Sequence, residues 1–190
     1  MKNQFTFLLT IPGVALITGL LLMVPLIAMQ FTQEVNWSVG DFIIMGALLF
    51  TTGSAFVMIM RYATNLANRL AFASAIGSTF LLVWVNLAVG LIGGGPNAGN
   101  LMYIGVVGVA LVGTYLSSFT AKGMGRAMMA TAIAIVLVAV IAILTGMQNY
   151  PGSSVEEIIG VNAFFAFLFI VSSLMFRYVE LQQSAEKSNH

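Results

Sequence analysis

The stretch AMMATAIAIVLVAVIAILTG, residues 127–146, decides the class of this protein. It contains no Asp, Glu, Lys, Arg or His. As an α-helix rising ~1.5 Å per residue it reaches ~30 Å, the thickness of the hydrocarbon core of a bilayer. A strand of a membrane barrel would be half as long and would alternate in polarity. Backbone groups in hydrocarbon must bond within their own segment, so a continuous apolar run of this length predicts a membrane-spanning helix.

Working outward from it, five more stretches have the same character: residues 5–29, 42–60, 70–92, 101–119 and 158–176. None contains an ionisable Asp, Glu, Lys, Arg or His. Short connections separate them. The expectation is an all-α fold: a polytopic membrane bundle of six transmembrane helices, with one transmembrane domain over residues 1–179 and a polar tail over 180–190. Composition agrees. Of the 190 residues only 7% are charged and 59% are hydrophobic, whereas soluble domains carry about 25% charged residues. So few charges cannot cover a soluble surface, and the lipid bilayer is the first partner implied. Nucleic acid is not implied, because no basic stripe exists to neutralise phosphates. The first stretch reads as a retained helix, since its apolar run is longer than the ~7–15 residues of a signal-peptide core. Pro25, and less so Pro12, should bend it.

The basic residues set an expected orientation. Lys2, Arg61, Arg69, Lys122, Arg126, Arg177 and Lys187 all fall on one side of a six-span chain, and Glu34, Asp41, Glu156 and Glu157 fall on the other. The positive-inside rule makes the basic side cytoplasmic. Both termini are then cytoplasmic, and the expected location is the bacterial cytoplasmic (inner) membrane. Trp37, Tyr103 and Tyr150 near one set of helix ends, and Tyr62, Tyr115 and Tyr178 near the other, fit an aromatic belt.

Two patterns bear on packing. Arg69 followed by Ala73-Ser74-Ala75-Ile76 echoes Arg126 followed by Ala130-Thr131-Ala132-Ile133. The second–third and fourth–fifth helices are thus readable as tandem two-helix hairpins, with chance similarity between Ala-rich helix starts as the competing reading. Small residues recur at four-residue spacing at Ala67, Ala71, Ala75 and Thr79, at Ala130 and Ala134, and at Gly90 and Gly94. Such stripes let membrane helices approach closely.

The sequence excludes several chemistries by missing atoms. The one histidine is His190, the last residue, and there is no cysteine. Haem ligation and zinc sites lack their donors within the spans, so no metal and no cofactor is expected. No span offers a catalytic base, a carboxylate pair or an intramembrane proton carrier. No catalytic residue is assigned.

What remains is polar but neutral. Asn86 and Asn162 lie at similar depths near the ends opposite the basic residues. An amide in lipid seeks a partner. Two readings stay open: packing hydrogen bonds, or an outward-facing polar pocket lined by Asn86, Asn162, Tyr103 and Asn100, with Trp84 as a wall and Asp41 at the rim. The loop Gly93-Gly94-Gly95-Pro96-Asn97-Ala98-Gly99-Asn100 offers a similar choice. It is either a tight helix–helix turn or a lid over that pocket, formed by Gly93, Gly94, Gly95, Pro96 and Asn97. Thr51, Thr52 and Ser54, at the middle of the second helix, are expected to bond back to their own backbone.

The run Leu82-Val83-Trp84-Val85-Asn86-Leu87-Ala88-Val89-Gly90-Leu91-Ile92-Gly93, then Asn97-Ala98-Gly99-Asn100-Leu101-Met102-Tyr103, and later Gly123-Met124-Gly125-Arg126-Ala127-Met128-Met129-Ala130-Thr131-Ala132, resembles a family of small bacterial integral membrane proteins with no assigned activity. The likeness spans the third to fifth helices. Gly94 and Gly95 stand where that family carries acidic residues. The resemblance implies a membrane location and draws attention to the loop segment, but it implies no reaction. Two functional expectations follow from the sequence. The first is a non-enzymatic accessory, structural or partner-binding membrane subunit, whose partner is another membrane protein or a second copy of the chain. The alternative is a small transporter or channel for a neutral or weakly polar solute.

Overall fold

The computed structural model describes residues 10–63, 65–95 and 97–188, without the side chains of Arg61 and Tyr62. The described chain is all helix, with no strand among the described residues. Six helices are long and apolar enough to cross a membrane. The protein is a multi-pass helical membrane protein. The helices are α1 (Ile11–Phe31), α2 (Val39–Tyr62), α3 (Leu66–Ala88), α4 (Met102–Leu116), α5 (Ala121–Leu144) and α6 (Val155–Ser188), with 3-10 turns at Ala98–Leu101 and Met147–Asn149.

The sequence reading groups residues 1–179 as one domain. Contacts within the chain cluster into two compact units, Met1–Ala63 and Thr64–His190, each described below by itself. The boundary falls between α2 and α3, inside the first of the two expected hairpins, because α3 packs within its own unit, chiefly against α6.

The first unit is the α1–α2 hairpin. Thr10 caps α1 by accepting from the Gly13 amide at 3.3 Å. Pro12 sits in the first turn, where a missing N–H costs nothing, so Pro25 alone interrupts the interior of the helix. Residues 5–9, which the sequence places in this helix, lie outside the described residues. Ser38 and Asp41 form a reciprocal capping box at the start of α2. Two glycines of α2 let α1 approach closely. A Cβ on Gly53 would lie 2.7 Å from Val14 Cγ1, and one on Gly46 would lie 3.2 Å from Leu22 Cδ1. Thr51 bonds back to the Ala47 carbonyl at 2.7 Å, as expected, but Ser54 departs from that expectation, its Oγ being buried without a hydrogen-bond partner.

The second unit is a four-helix bundle in which α5 and α6 form the most extensive interface, flanked by α4 on α5 and α3 on α6. Phe165, Phe169 and Phe176 of α6 are fully buried, as are Met128, Ile135 and Ala142 of α5. Phe72 of α3 meets Phe176 edge-on, with ring centroids 4.9 Å apart. The expected small-residue seam is right for α3, where Ala71 and Ala75 are buried. It is wrong for α5. Ala130 is exposed, and the buried face runs through Ala127, Thr131, Ala132, Ile135 and Ala139. Small size marks a residue that permits close approach, but the direction of the face is set by where the large partners Phe169 and Phe176 stand.

Helix α6 runs on into the polar tail, which is helical over its described residues to Ser188. Its 34 residues extend ~50 Å, well beyond a ~30 Å apolar core. There Lys122 and Glu180 form an exposed ion pair at 3.8 Å.

Candidate functional site

The residues singled out in the second unit gather at one end of it, here called the loop end, opposite the end bearing Lys122 and Arg177. The sequence carries the third span through Ile92, but α3 stops at Ala88. Gly90 explains the stop. Its φ is +80°, a backbone conformation that glycine adopts without penalty. A Cβ there would lie 2.5 Å from Asn100 Nδ2 and 2.9 Å from the Gly93 carbonyl oxygen.

Past this stop, Leu91 and Ile92 are buried but no longer helical. Their amides therefore need acceptors, since an unbonded buried N–H costs about 1–3 kcal/mol. Asn100 supplies both. Its Oδ1 accepts from Leu91 N at 2.8 Å and from Ile92 N at 2.9 Å. Its Nδ2 donates to the carbonyls of Gly95 at 3.1 Å and Ile92 at 3.4 Å. All four bonding positions of one buried amide side chain are occupied by loop backbone. Asn97 reinforces it, donating to the Ile92 carbonyl at 2.6 Å and accepting from Asn100 N at 3.2 Å. The glycines bond outward: Gly94 N donates to the Pro151 carbonyl at 3.0 Å and Gly95 N to the Val89 carbonyl at 3.2 Å. Pro96 lies outside the described residues.

Asn86 joins this network from α3, donating through Nδ2 to the Asn100 carbonyl at 3.2 Å. Its Oδ1 is buried without a hydrogen-bond partner in the protein. In the first turn of α4, the Tyr103 hydroxyl donates to Asn162 Oδ1 at 2.8 Å, and both residues are 2% exposed. Asn162 Nδ2 in turn donates to the Ile158 carbonyl of its own helix at 2.8 Å.

Thus four of the six expected pocket residues fall into two hydrogen-bonded clusters, Asn86 with Asn100 and Tyr103 with Asn162. Trp84 does not join them. It is half exposed and stacks on Phe80 at 5.9 Å. Asp41 belongs to the first unit, where it accepts from Ser38 N at 2.7 Å and Ser38 Oγ at 2.8 Å. Sequence reasoning missed Gly90 as the pivot of the loop and the Leu91 and Ile92 amides as the groups the asparagines serve. The adjacent pair Val89-Gly90 before an Asn-rich turn was the available signal, because glycine just past an apolar run marks a helix stop.

Among the described residues no three His, Cys, Asp or Glu side chains come together as a metal-ligand set. No protein-family model, curated protein sequence or solved structure matches this chain. The likeness of residues 82–132 to small bacterial membrane proteins therefore rests on the sequence wording alone.

Proposed function

We propose that this chain is a non-enzymatic membrane subunit, accessory or partner-binding, whose loop-end polar residues serve its architecture. The observation that carries this reading is the use of Asn100: each of its four hydrogen-bonding positions is spent on the backbone of the loop. A side chain so engaged offers nothing to a solute. The loop itself, tied at Gly94 and Gly95, behaves in this reading as a fixed turn instead of a lid. The chain sits in the bacterial cytoplasmic membrane with both termini on the cytoplasmic side, an orientation supported by the gathering of Lys and Arg at one set of helix ends. Its partner is another membrane protein or a second copy of the chain. Crosslinking in native membranes followed by purification in mild detergent tests this. Recovery of a defined adduct or oligomer is expected, and a lone monomer under both conditions contradicts it.

One observation favours a second reading, a small transporter or channel for a neutral solute. Asn86 Oδ1 is a buried acceptor with no donor, and such a group is a candidate solute contact. Replacing Asn86 by Leu in a folded protein and measuring solute uptake into vesicles discriminates the two. The subunit reading predicts no loss of any flux.

A further inference from the structure

The segment between α1 and α2 carries a pattern that a subunit role does not use. It reads Glu34-Val35-Asn36-Trp37-Ser38. Asn36-Trp37-Ser38 is an Asn-x-Ser/Thr triplet without proline in the middle, the acceptor pattern for N-linked glycan transfer. No other asparagine of the chain is followed two places on by Ser or Thr. Such triplets also arise by chance, so the way the fold presents this one must distinguish an acceptor.

Residues 35–38 are neither helix nor turn. Exposure alternates along the segment: Glu34, Asn36 and Ser38 are exposed, while Val35 and Trp37 are half-buried. A period of two is that of extended chain, and the Ser38 backbone is extended. Trp37 is held by an edge-on contact with Phe42, ring centroids 5.2 Å apart. Carboxylate, amide and hydroxyl are therefore displayed together on the solvent side, at positions i−2, i and i+2 about the asparagine. The Asn36 side chain makes no hydrogen bond among the described residues, so it serves neither a cap nor a turn. Ser38 Oγ donates to Asp41 Oδ2 at 2.8 Å in the capping box. Being exposed, it can exchange that bond for one to an enzyme.

We propose that Asn36 is the acceptor of one N-linked glycan, transferred from a polyprenyl-pyrophosphate donor by an oligosaccharyltransferase of the same membrane. The Asn36 amide nitrogen bonds to the anomeric carbon of the first sugar. The bond from that carbon to the pyrophosphate oxygen breaks, its electron pair leaves with the polyprenyl pyrophosphate, and the amide gives up one proton. The Ser38 hydroxyl and the Glu34 carboxylate are the groups by which the enzyme holds the segment. The donor is lipid-linked, so transfer takes place at the membrane surface. Asn36 precedes Val39, the first residue of α2, by three residues, and in extended chain it clears that helix by ~10 Å. The site rests on the orientation proposed above, which puts this segment on the face away from Lys and Arg.

The test expresses the full chain in bacterial cells supplied with a lipid-linked glycan and an oligosaccharyltransferase of the type that reads an acidic residue two places before the asparagine. Intact-protein mass spectrometry and peptide mapping should find one glycan, on Asn36. Occupancy should fall at least tenfold in Asn36→Gln, Ser38→Ala and Glu34→Gln, and persist in Ser38→Thr, which keeps both hydroxyl and cap. Asn36→Gln and Glu34→Gln leave the Ser38–Asp41 capping box in place, so both should fold. The chain has no cysteine, so labelling of Asn36→Cys by a membrane-impermeant maleimide in spheroplasts reports the side of the membrane independently. Labelling from outside together with an unglycosylated wild type would overturn the glycan site and leave the orientation standing. Absence of labelling from outside would overturn both. Occupancy unchanged in any of the three loss variants would overturn the site as well.

Discussion

The two halves of the α3–α6 bundle are held by different chemistry. At the loop end, amide side chains bond to backbone that has left the helix, with Asn100 and Asn97 carrying the turn. Toward the basic end, helices meet through small residues and hydroxyls. Ser173 Oγ donates to the Gly125 carbonyl at 2.7 Å, and Ser74 and Ser172 share a bond of 2.7 Å. A Cβ on Gly113 would lie 2.9 Å from Ala127 Cβ, and one on Gly123 would lie 2.7 Å from Ser117 Cβ. The difference follows from what each end must satisfy. Intact helices already bond their own backbone and need only close packing. A broken helix exposes N–H and C=O groups that lipid cannot serve, so polar side chains must serve them.

Mutations separate the two modes. The largest effect is expected at Gly90. Gly90→Ala combines a left-handed φ with a collision against the Asn100 amide, and should cost about 3 kcal/mol in denaturant titration in mixed micelles. Gly105→Ala is the control. Nothing lies within 4 Å of its Cβ position, and stability should hold or rise by up to about 1 kcal/mol. A similar cost at both glycines would mean that helix packing, and not the turn, limits stability.

Tyr103→Phe comes next. It leaves Asn162 Oδ1 buried without its donor, for a loss of about 1 kcal/mol by the same titration. Asn162→Leu in the Tyr103→Phe background should then cost little more, since the pair is already broken. Ser74→Ala removes one hydroxyl bond between α3 and α6 and should cost about 0.6 kcal/mol, the average for interhelical bonds in membranes. Lys122→Ala should change stability by less than about 0.5 kcal/mol, because its ion pair with Glu180 is exposed and long. A cost there above that of Tyr103→Phe would reverse the ranking of the two ends.

The fold was legible because apolar runs of ~20 residues leave helices as the one economical backbone solution in lipid. The asparagines were legible as well, since an amide in an apolar run stands out. What each amide contacts was not. Asn100 and Leu91 are nine residues apart, and only the turn at Gly90 brings them together. The seam on α5 was misread for a related reason. Ala130 and Thr131 are both small, and which of them is buried depends on α6. The Ala73-Ser74 and Ala130-Thr131 echo shows the same limit. Ser74 bonds across to Ser172, whereas Thr131 bonds to its own Ala127 carbonyl.

The central claim is that Asn100 exists to satisfy the backbone of the broken helix. Hydrogen exchange at the Leu91 and Ile92 amides measures this directly, in wild type and in Asn100→Ala reconstituted in the same bilayer. The account predicts slow exchange in the wild type and at least a hundredfold acceleration at both amides in the variant, equivalent to about 2.7 kcal/mol of lost protection. Unchanged protection at Leu91 and Ile92 would contradict it and return Asn100 to the list of groups free to meet a solute.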